Sequence, residues 1–516
     1  MEGWCTDRYI PSVIKNMEKI LYFDNGKIKE NTNYNNSKIL MNGSVYFNPE
    51  ELTTEDVVWL SLDYDAIRFS DEDEYIEELH AIIVDKRYRA KLSPKALIGL
   101  IEDDDDKCDY DDDECDGELA DPVPDMLFDT EYKEYERFGD ILTDKNADQA
   151  YLCYENAAFL CPIEAERQRI AEKIAVLKAK HTVRVKEVSF IILSHNEKYM
   201  TQKCLESIWN RCAKGSYEIV IVDNASTDGS AEWLQKCRYP INLFLSDKNS
   251  GFAGGCNKGI SLAKQENDVF CLNNDTRLSH NSLFWLRMAL YEHKNIGMTG
   301  AVSNYGRPEI RHECSFASPD DYVAYGNSIN VISERAFEEK SFVSGFAMLM
   351  KREALERAGV FDEAFNPGYF EDDDICIRFR KSGYTIGIVH NSFIYHAGSQ
   401  SFIKNKEVEA LIESHYYLYL KKWGLAKEKT GITKEELEIL KKIKSENSKD
   451  AAIRILEMDC GTGDFLARLS HEFPNAKVVG VERDKVAIDN AVSSATVLSY
   501  EDFEENPENF DYIIRR

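Results

Sequence analysis

Four consecutive acids, Glu371-Asp372-Asp373-Asp374, with Arg378 four residues beyond, are the densest chemical grouping in this chain of 516 residues. Carboxylates packed so closely raise one another's pKa, which suits one of them to act as a general base near neutral pH. Asp374 could instead cap a helix. Four other points carry polar residues in short runs: Asp223 to Ser230, Asn249 to Gly259, Asn273-Asn274-Asp275-Thr276, and Ile394-Tyr395-His396. The glycines of the second run would let a helix start approach a bound diphosphate closely, or would serve only as a turn. Asp228 reads more simply as the turn and cap of the next helix. A lone histidine such as His396 is more often a satisfied core residue than a ligand.

The elements that must hold these points are short apolar runs separated by helical patterns. Val188–Leu193, Ile219–Val222, Ile241–Leu245 and Val269–Leu272 look like buried parallel strands. Tyr199 to Trp209 and Ala253 to Lys264 have helical spacing. Alternation of this kind implies an α/β fold with an open, mostly parallel sheet. Ligands of such sheets bind beyond the carboxyl ends of the strands. Asp223 directly follows the second run and Asn273 to Asp275 directly follow the fourth.

With five motifs in order over residues 185–427, this region resembles an inverting glycosyltransferase of family 2, with the nucleotide-binding A-type α/β fold. The resemblance implies a nucleotide-sugar donor, UDP- or dTDP-linked, and Mn²⁺ or Mg²⁺ to neutralise the leaving diphosphate. It makes Asp275 and His396 the metal ligands, with Asn273 and Asn274 where many relatives carry acids. Ser194, Asn196, Asp223, Asn249, Gly251, Gly254, Asn257, Asn273 and Asn274 fall on the nucleotide and donor side, with Ser194, His195 and Asn196 at the base pocket. Asp372 is implied as the catalytic base, with Glu371 beside it. Gly345, within Phe342 to Phe346, is implied to give the acceptor room. That acceptor is a glycan, a lipid-linked glycan or a protein hydroxyl.

The rest of the chain is read by composition and pattern. A net charge of −29 argues against nucleic acid or an anionic membrane surface as a partner. No apolar run is long enough for a membrane span, and no secretory signal is visible, so a cytoplasmic protein is expected. Its 13 cysteines, without CxxC pairs, suit reduced thiols. Residues 1–130 form an acidic, mainly helical region without an assignable role. Thr53 to Asp56 there resembles a helix start, and the acid run from Glu102 to Glu118 reads as a solvated loop rather than a calcium site.

Residues 131–180 read as helices in which Ala150, Tyr154, Ala157 and Pro162 keep the spacing of a tetratricopeptide repeat. They are expected to pack as a hairpin on the transferase, or to dock a protein acceptor. Residues 428–450 are a helical linker, with Thr433 and Glu436 as a capping box.

From 451 to 516 the order strand, glycine loop, helix, strand, acid resembles the start of a class I S-adenosylmethionine methyltransferase. Glu457, Gly461, Gly463 and Glu482 are its cofactor-side residues, with Glu482 placed for ribose hydroxyls. Asp459 stands where the first loop glycine is usual. The fragment reads as a partial Rossmann-like domain, truncated from a longer bifunctional chain and inactive in methyl transfer. Competing readings are a non-catalytic scaffold that kept the fold, and a parent chain whose main activity is methyl transfer.

Overall fold

A computed structural model describes residues 20–24, 27–31, 131–333, 335–398, 406–504 and 509–516. In the first of two compact units, Ile20–Asp24 (β1) and Lys27–Asn31 (β2) pair antiparallel, with Asp24 opposite Lys27. The helix start at Thr53 and the acid run at 102–118 lie outside the described residues.

The second unit contains residues 132–516. Its centre is a nine-stranded sheet ordered β5-β4-β3-β6-β10-β8-β11-β7, with β9 also on β11. The strands are Val188–Ser194 (β3), Tyr217–Asp223 (β4), Ile241–Leu245 (β5), Asp268–Asn273 (β6), Thr276–Leu278 (β7), Ile296–Val302 (β8), Phe337–Glu339 (β9), Ala347–Met350 (β10) and Thr385–His396 (β11). The β5-β4-β3-β6 half is parallel throughout. The runs in β3, β4 and β6 are largely buried on both faces, which is why they read as continuous rather than alternating. β5, expected to be a buried strand, is instead the half-exposed edge, because only β4 covers it in the sheet.

The second half is mixed. β10 runs antiparallel between β6 and β8, and β11 is parallel to β8 but antiparallel to β7 and β9. Pairing of β7 with β11 sets His396 opposite Thr276, one residue from Asp275. Helix Gly251–Leu262 packs closely on the parallel half because a side chain at Gly255 or Gly259 would strike Leu193 or Ile191, at 2.2 and 2.5 Å.

Helices Glu131–Leu142, Ala147–Leu160 and Glu164–Lys180 precede the sheet. A Cβ at Gly139 would lie 2.7 Å from the Tyr154 ring, so this glycine sets how closely the first two approach. The second packs on helix Ser282–Leu290: Gln149 donates to the Met288 carbonyl at 2.9 Å, and Asn146 to that of Tyr291 at 3.0 Å. Among the described residues no helix is long and apolar enough to cross a membrane.

Helix Lys434–Glu446 starts with the expected box, Glu436 N–H donating to Thr433 and Thr433 N–H to the Glu436 carboxylate. A second, wholly parallel sheet follows, ordered β14-β13-β12-β15. It comprises Arg454–Met458 (β12), Lys477–Glu482 (β13), Val497–Ser499 (β14) and Tyr512–Arg515 (β15). This is the strand order of one half of a doubly wound fold. β14 carries too weak a pattern to be read from the sequence.

Candidate active site

The polar ends of β4, β6 and β11 and the start of helix Glu371–Lys381 carry the candidate chemistry. Asp223 ends β4 and is 2% exposed. Its Oδ1 accepts from Ser226 N–H at 3.0 Å, while its buried Oδ2 has no hydrogen-bond partner. A buried carboxylate oxygen left unpaired costs about 1–3 kcal/mol, and a hydroxyl or N–H of a bound nucleoside would offset it. Asn196, held at a φ of 60°, accepts from Thr227 N–H at 2.8 Å and so pins the loop after β3 to the loop after β4. Ser194 is fully buried, its hydroxyl 3.3 Å from that of Thr201 and its carbonyl accepting from Asn224 N–H. Asn224, missed by sequence reasoning, donates to Asn249 at 2.8 Å and accepts from Ser250 N–H. It thereby places the glycine-rich segment.

Two donor-side segments make contacts within the protein itself. The room kept by Gly251 is filled by protein: a Cβ there would lie 2.4 Å from Asn366 Oδ1, and Phe252 N–H donates to the Pro367 carbonyl. Gly254 is less tightly enclosed, a Cβ there lying 3.2 Å from Ser250 and 3.4 Å from Asn366. Both glycines thus lie against the Asn366-Pro367 turn. Asn257 is a clasp, donating to the Phe361 carbonyl and the Glu363 carboxylate and accepting from Phe361 N–H. Asp228 has the simpler role foreseen for it, accepting from Ser230 and from Lys198 N–H.

At the other end of the cleft His396 Nε2 lies 3.2 Å from Asp275 Oδ1. The imidazole stacks on Phe346, with ring centroids 5.0 Å apart, and meets the edge of Tyr305. Asn273 Nδ2 is 3.5 Å from the same nitrogen, and Asn274 donates to Thr201. One carboxylate oxygen from the turn between β6 and β7 and one imidazole nitrogen from the end of β11 fit a Mn²⁺ or Mg²⁺ ion that takes its other ligands from phosphate and water. Among the described residues no group of three or more acidic, histidine or cysteine side chains does so.

The acids at the start of helix Glu371–Lys381 have separate fates. Asp373 receives Arg307 Nη2 on both oxygens, at 2.7 and 2.8 Å, and that guanidinium lies over the Phe342 ring. Asp374 does not cap the helix. It is fully buried and bound by Arg378, Trp423 and Lys422, locking the helix to the segment after β11.

Asp372 is half-buried, with Oδ2 accepting from Gly345 N–H at 3.1 Å and Oδ1 from Asp373 N–H at 2.9 Å. Burial, then the charge of Asp373, pushes its pKa up, against the opposing pull of Arg307. Burial and the charge of Asp372 hold Glu371 well above the usual carboxylate range, and its buried Oε2 has no partner. A Cβ at Gly345 would be in ordinary contact with Asp372 Cβ at 3.4 Å and Oδ2 at 3.6 Å, so a side chain there would stand against the carboxylate without a clash. Arg307 gives no sequence signal because it sits in an irregular loop between β8 and the helix Pro319–Ile329.

Three of the cofactor-side residues expected in the C-terminal sheet, Glu482, Gly461 and Gly463, lie against the protein's own groups. Glu482 takes Lys429 Nζ at 2.9 and 3.0 Å and three backbone N–H groups, of Gly461, Arg483 and Asp484. The Lys429 carbonyl fills the space over Gly461, where a Cβ would lie 2.2 Å from it. A Cβ at Gly463 would meet Ala495 and Val497 at 2.9 Å. Glu457 is fully buried in β12, and burial followed by the nearby Glu436 pushes its pKa well up.

Residues 189–359 match the family Glycosyl transferase family 2. An uncharacterized protein, y4gI of Sinorhizobium fredii, is 21% identical over 225 residues, 42% of this chain and 25% of its own length. The uncharacterized glycosyltransferase YfnE of Bacillus subtilis is 22% identical over 241 residues, 39% of this chain and 62% of its own. The chain thus spans less than two thirds of either relative. A stretch of 44 residues is 46% identical to a malonyl-[acyl-carrier protein] O-methyltransferase of Bacillus cytotoxicus, 8% of this chain and 15% of that enzyme. A mannosyltransferase of Pyrobaculum calidifontis, solved with GDP-Man and Mn²⁺, superposes with a TM-score of 0.32 at 19% identity, over 49% of this chain and 69% of that one.

Proposed function

We propose that the chain is a metal-dependent inverting glycosyltransferase, moving a sugar from a UDP- or dTDP-linked donor to a hydroxyl of a glycan, lipid-linked glycan or protein. The observation that carries this reading is the pairing of Asp275 with His396, together with two carboxyls of raised pKa at one helix start. Asp223, with its unpartnered oxygen, is proposed to bind the nucleoside. Asp275 and His396 would hold Mn²⁺ or Mg²⁺, which offsets charge on the leaving diphosphate.

Asp372 then accepts the acceptor's hydroxyl proton as that oxygen forms its bond to the anomeric carbon. The bond from that carbon to the phosphate oxygen breaks in line, and the nucleoside diphosphate leaves with the electron pair. Gly345 N–H orients the base, and Arg307 neutralises Asp373, so that the charge next to Asp372 is paired.

The proposed limits are a helical, tetratricopeptide-like segment over 131–180, the catalytic domain over 185–427, a linker over 428–450 and a methyltransferase-like fragment over 451–516. Hydrolysis of a panel of nucleotide sugars, with Mn²⁺ and with EDTA, tests the function. Metal-stimulated release of one nucleotide supports it, and no release from any donor overturns it.

A further inference from the structure

The C-terminal fragment makes a contact that its resemblance to a methyltransferase does not call for. Asp464, first residue of the helix after its glycine loop, is fully buried and receives four donors. Ser341 gives its N–H at 2.7 Å and its hydroxyl at 2.6 Å; the Thr462 hydroxyl is at 2.7 Å and Gly431 N–H at 3.1 Å. Burial would raise the pKa of this carboxyl, but Lys340 and these hydrogen bonds hold it low, so it stays ionised. Ser341 leads directly into Phe342 to Gly345, whose last N–H donates to Asp372.

Other bonds cross the same boundary just before that segment, among them Lys340 Nζ donating to the Asp464 carbonyl at 3.4 Å. Arg468 pairs with Glu338 at 2.7 Å, and Glu339 accepts from Ser493 N–H at 2.8 Å.

We infer that Asp464 is a positioning residue of the transferase, and that the glycine-loop fragment serves to fix the Ser341–Gly345 segment against the catalytic base. The ordinary cofactor position of the fragment is closed by Lys429, while its helix start is turned toward the neighbouring domain. A charged acceptor with four donors is a strong local tether, since hydrogen bonds to ionised groups are about twice as strong as neutral ones. The chain from Ser341 to Gly345 is too short to absorb a loss of that tether without moving Gly345 N–H. Losing that N–H would raise the pKa of Asp372 further, because the bond favours its ionised form.

The inference rests on the proposed transferase reading for its kinetic consequence but not for its structural one. The test uses the full chain with Asp464→Asn, Ser341→Ala and the boundary control Ser493→Ala. Amide hydrogen exchange over residues 341–346 is the first measurement. It should speed up about tenfold in both tether variants and stay unchanged in the control.

The second measurement is the pH profile of donor hydrolysis, whose acid limb should move to higher pH in the tether variants alone. Unchanged exchange in both tether variants overturns the inference, as does equal exchange in the control. Faster exchange with an unmoved acid limb overturns the link to the base. If no donor is turned over by the parent chain, the functional reading fails while the exchange result still decides the tether.

Discussion

Two strand-end polar clusters in this molecule share a sequence signature and differ in what they leave available. In the transferase sheet, Asp223 Oδ2, Glu371 Oε2 and His396 Nδ1 are buried without hydrogen-bond partners. In the C-terminal sheet the corresponding acid, Glu482, takes a lysine and three backbone N–H groups, and the loop N–H of Thr462 is spent on the Lys429 carbonyl. Unpaired polar groups in a folded interior are costly and therefore mark places where a ligand completes the structure. At Glu482 the protein has completed itself, whereas Glu457 on the adjacent strand keeps both oxygens buried and, among the described residues, without a partner. A glycine loop followed by an acid reports only that backbone comes close to something there; what fills the space decides between a site and a joint.

The largest effect that tests this contrast lies at the base. Asp372→Asn keeps size and most hydrogen bonding but removes the basic oxygen, so turnover should fall roughly 10²–10⁴-fold with donor affinity little changed. Glu371→Gln is the necessary counterpart, because the unpartnered Glu371 oxygen is the alternative base. If it loses turnover while Asp372→Asn retains it, the roles are exchanged.

Next in size, Asp275→Ala should abolish the gain in UDP or dTDP affinity that Mn²⁺ or Mg²⁺ confers. Calorimetry showing equal affinity with metal and with EDTA in the parent chain would remove the metal from the scheme. Gly345→Ala should cost roughly tenfold or more in turnover, because a methyl would stand 3.6 Å from Asp372 Oδ2, yet leave thermal stability intact. A stability loss would mean that the space there belongs to packing.

Glu371→Gln has a second, smaller signature. A carboxyl whose pKa is raised in the folded state binds its proton more tightly there than in the unfolded chain. Ionising it therefore lowers stability as pH rises past the unfolded value, about 4.3. The Gln variant should melt higher than the parent at neutral pH, with the difference vanishing toward pH 4. A difference that persists in acid would show that charge is not its cause.

Least change is expected at Glu482 and its glycine loop. S-adenosylmethionine should show no dissociation constant at or below about micromolar. Tight binding to the full chain would mean that Lys429 yields its place, and the contrast between the two clusters would collapse.

Much of this was legible in the residues themselves. Buried β-branched runs ended by Asp223 and by Asn273 to Asp275 placed polar groups at the carboxyl ends of parallel strands, since a strand's apolar length fixes where its polar end emerges. Thr433 and Glu436 determined their helix start for a local reason, a cap being made by residues three apart.

Only the tertiary structure decided the rest. The distance between Asp275 and His396 depends on the register of β7 against β11, which no local pattern encodes. The four neighbouring acids differ because Arg307 reaches Asp373 and Trp423 reaches Asp374 from distant segments, while Asp372 accepts from the N–H groups of Gly345 and Asp373 and Glu371 Oε2 has no partner among the described residues. Gly251 and Gly461 look alike in sequence, and what lies against each, Asn366 in one case and Lys429 in the other, is a neighbour supplied by the fold. Local patterns follow from covalent spacing along one chain segment. The partners that saturate or spare a polar group come from the packing of segments far apart, and that sum of distant contacts exists only once the whole chain has folded.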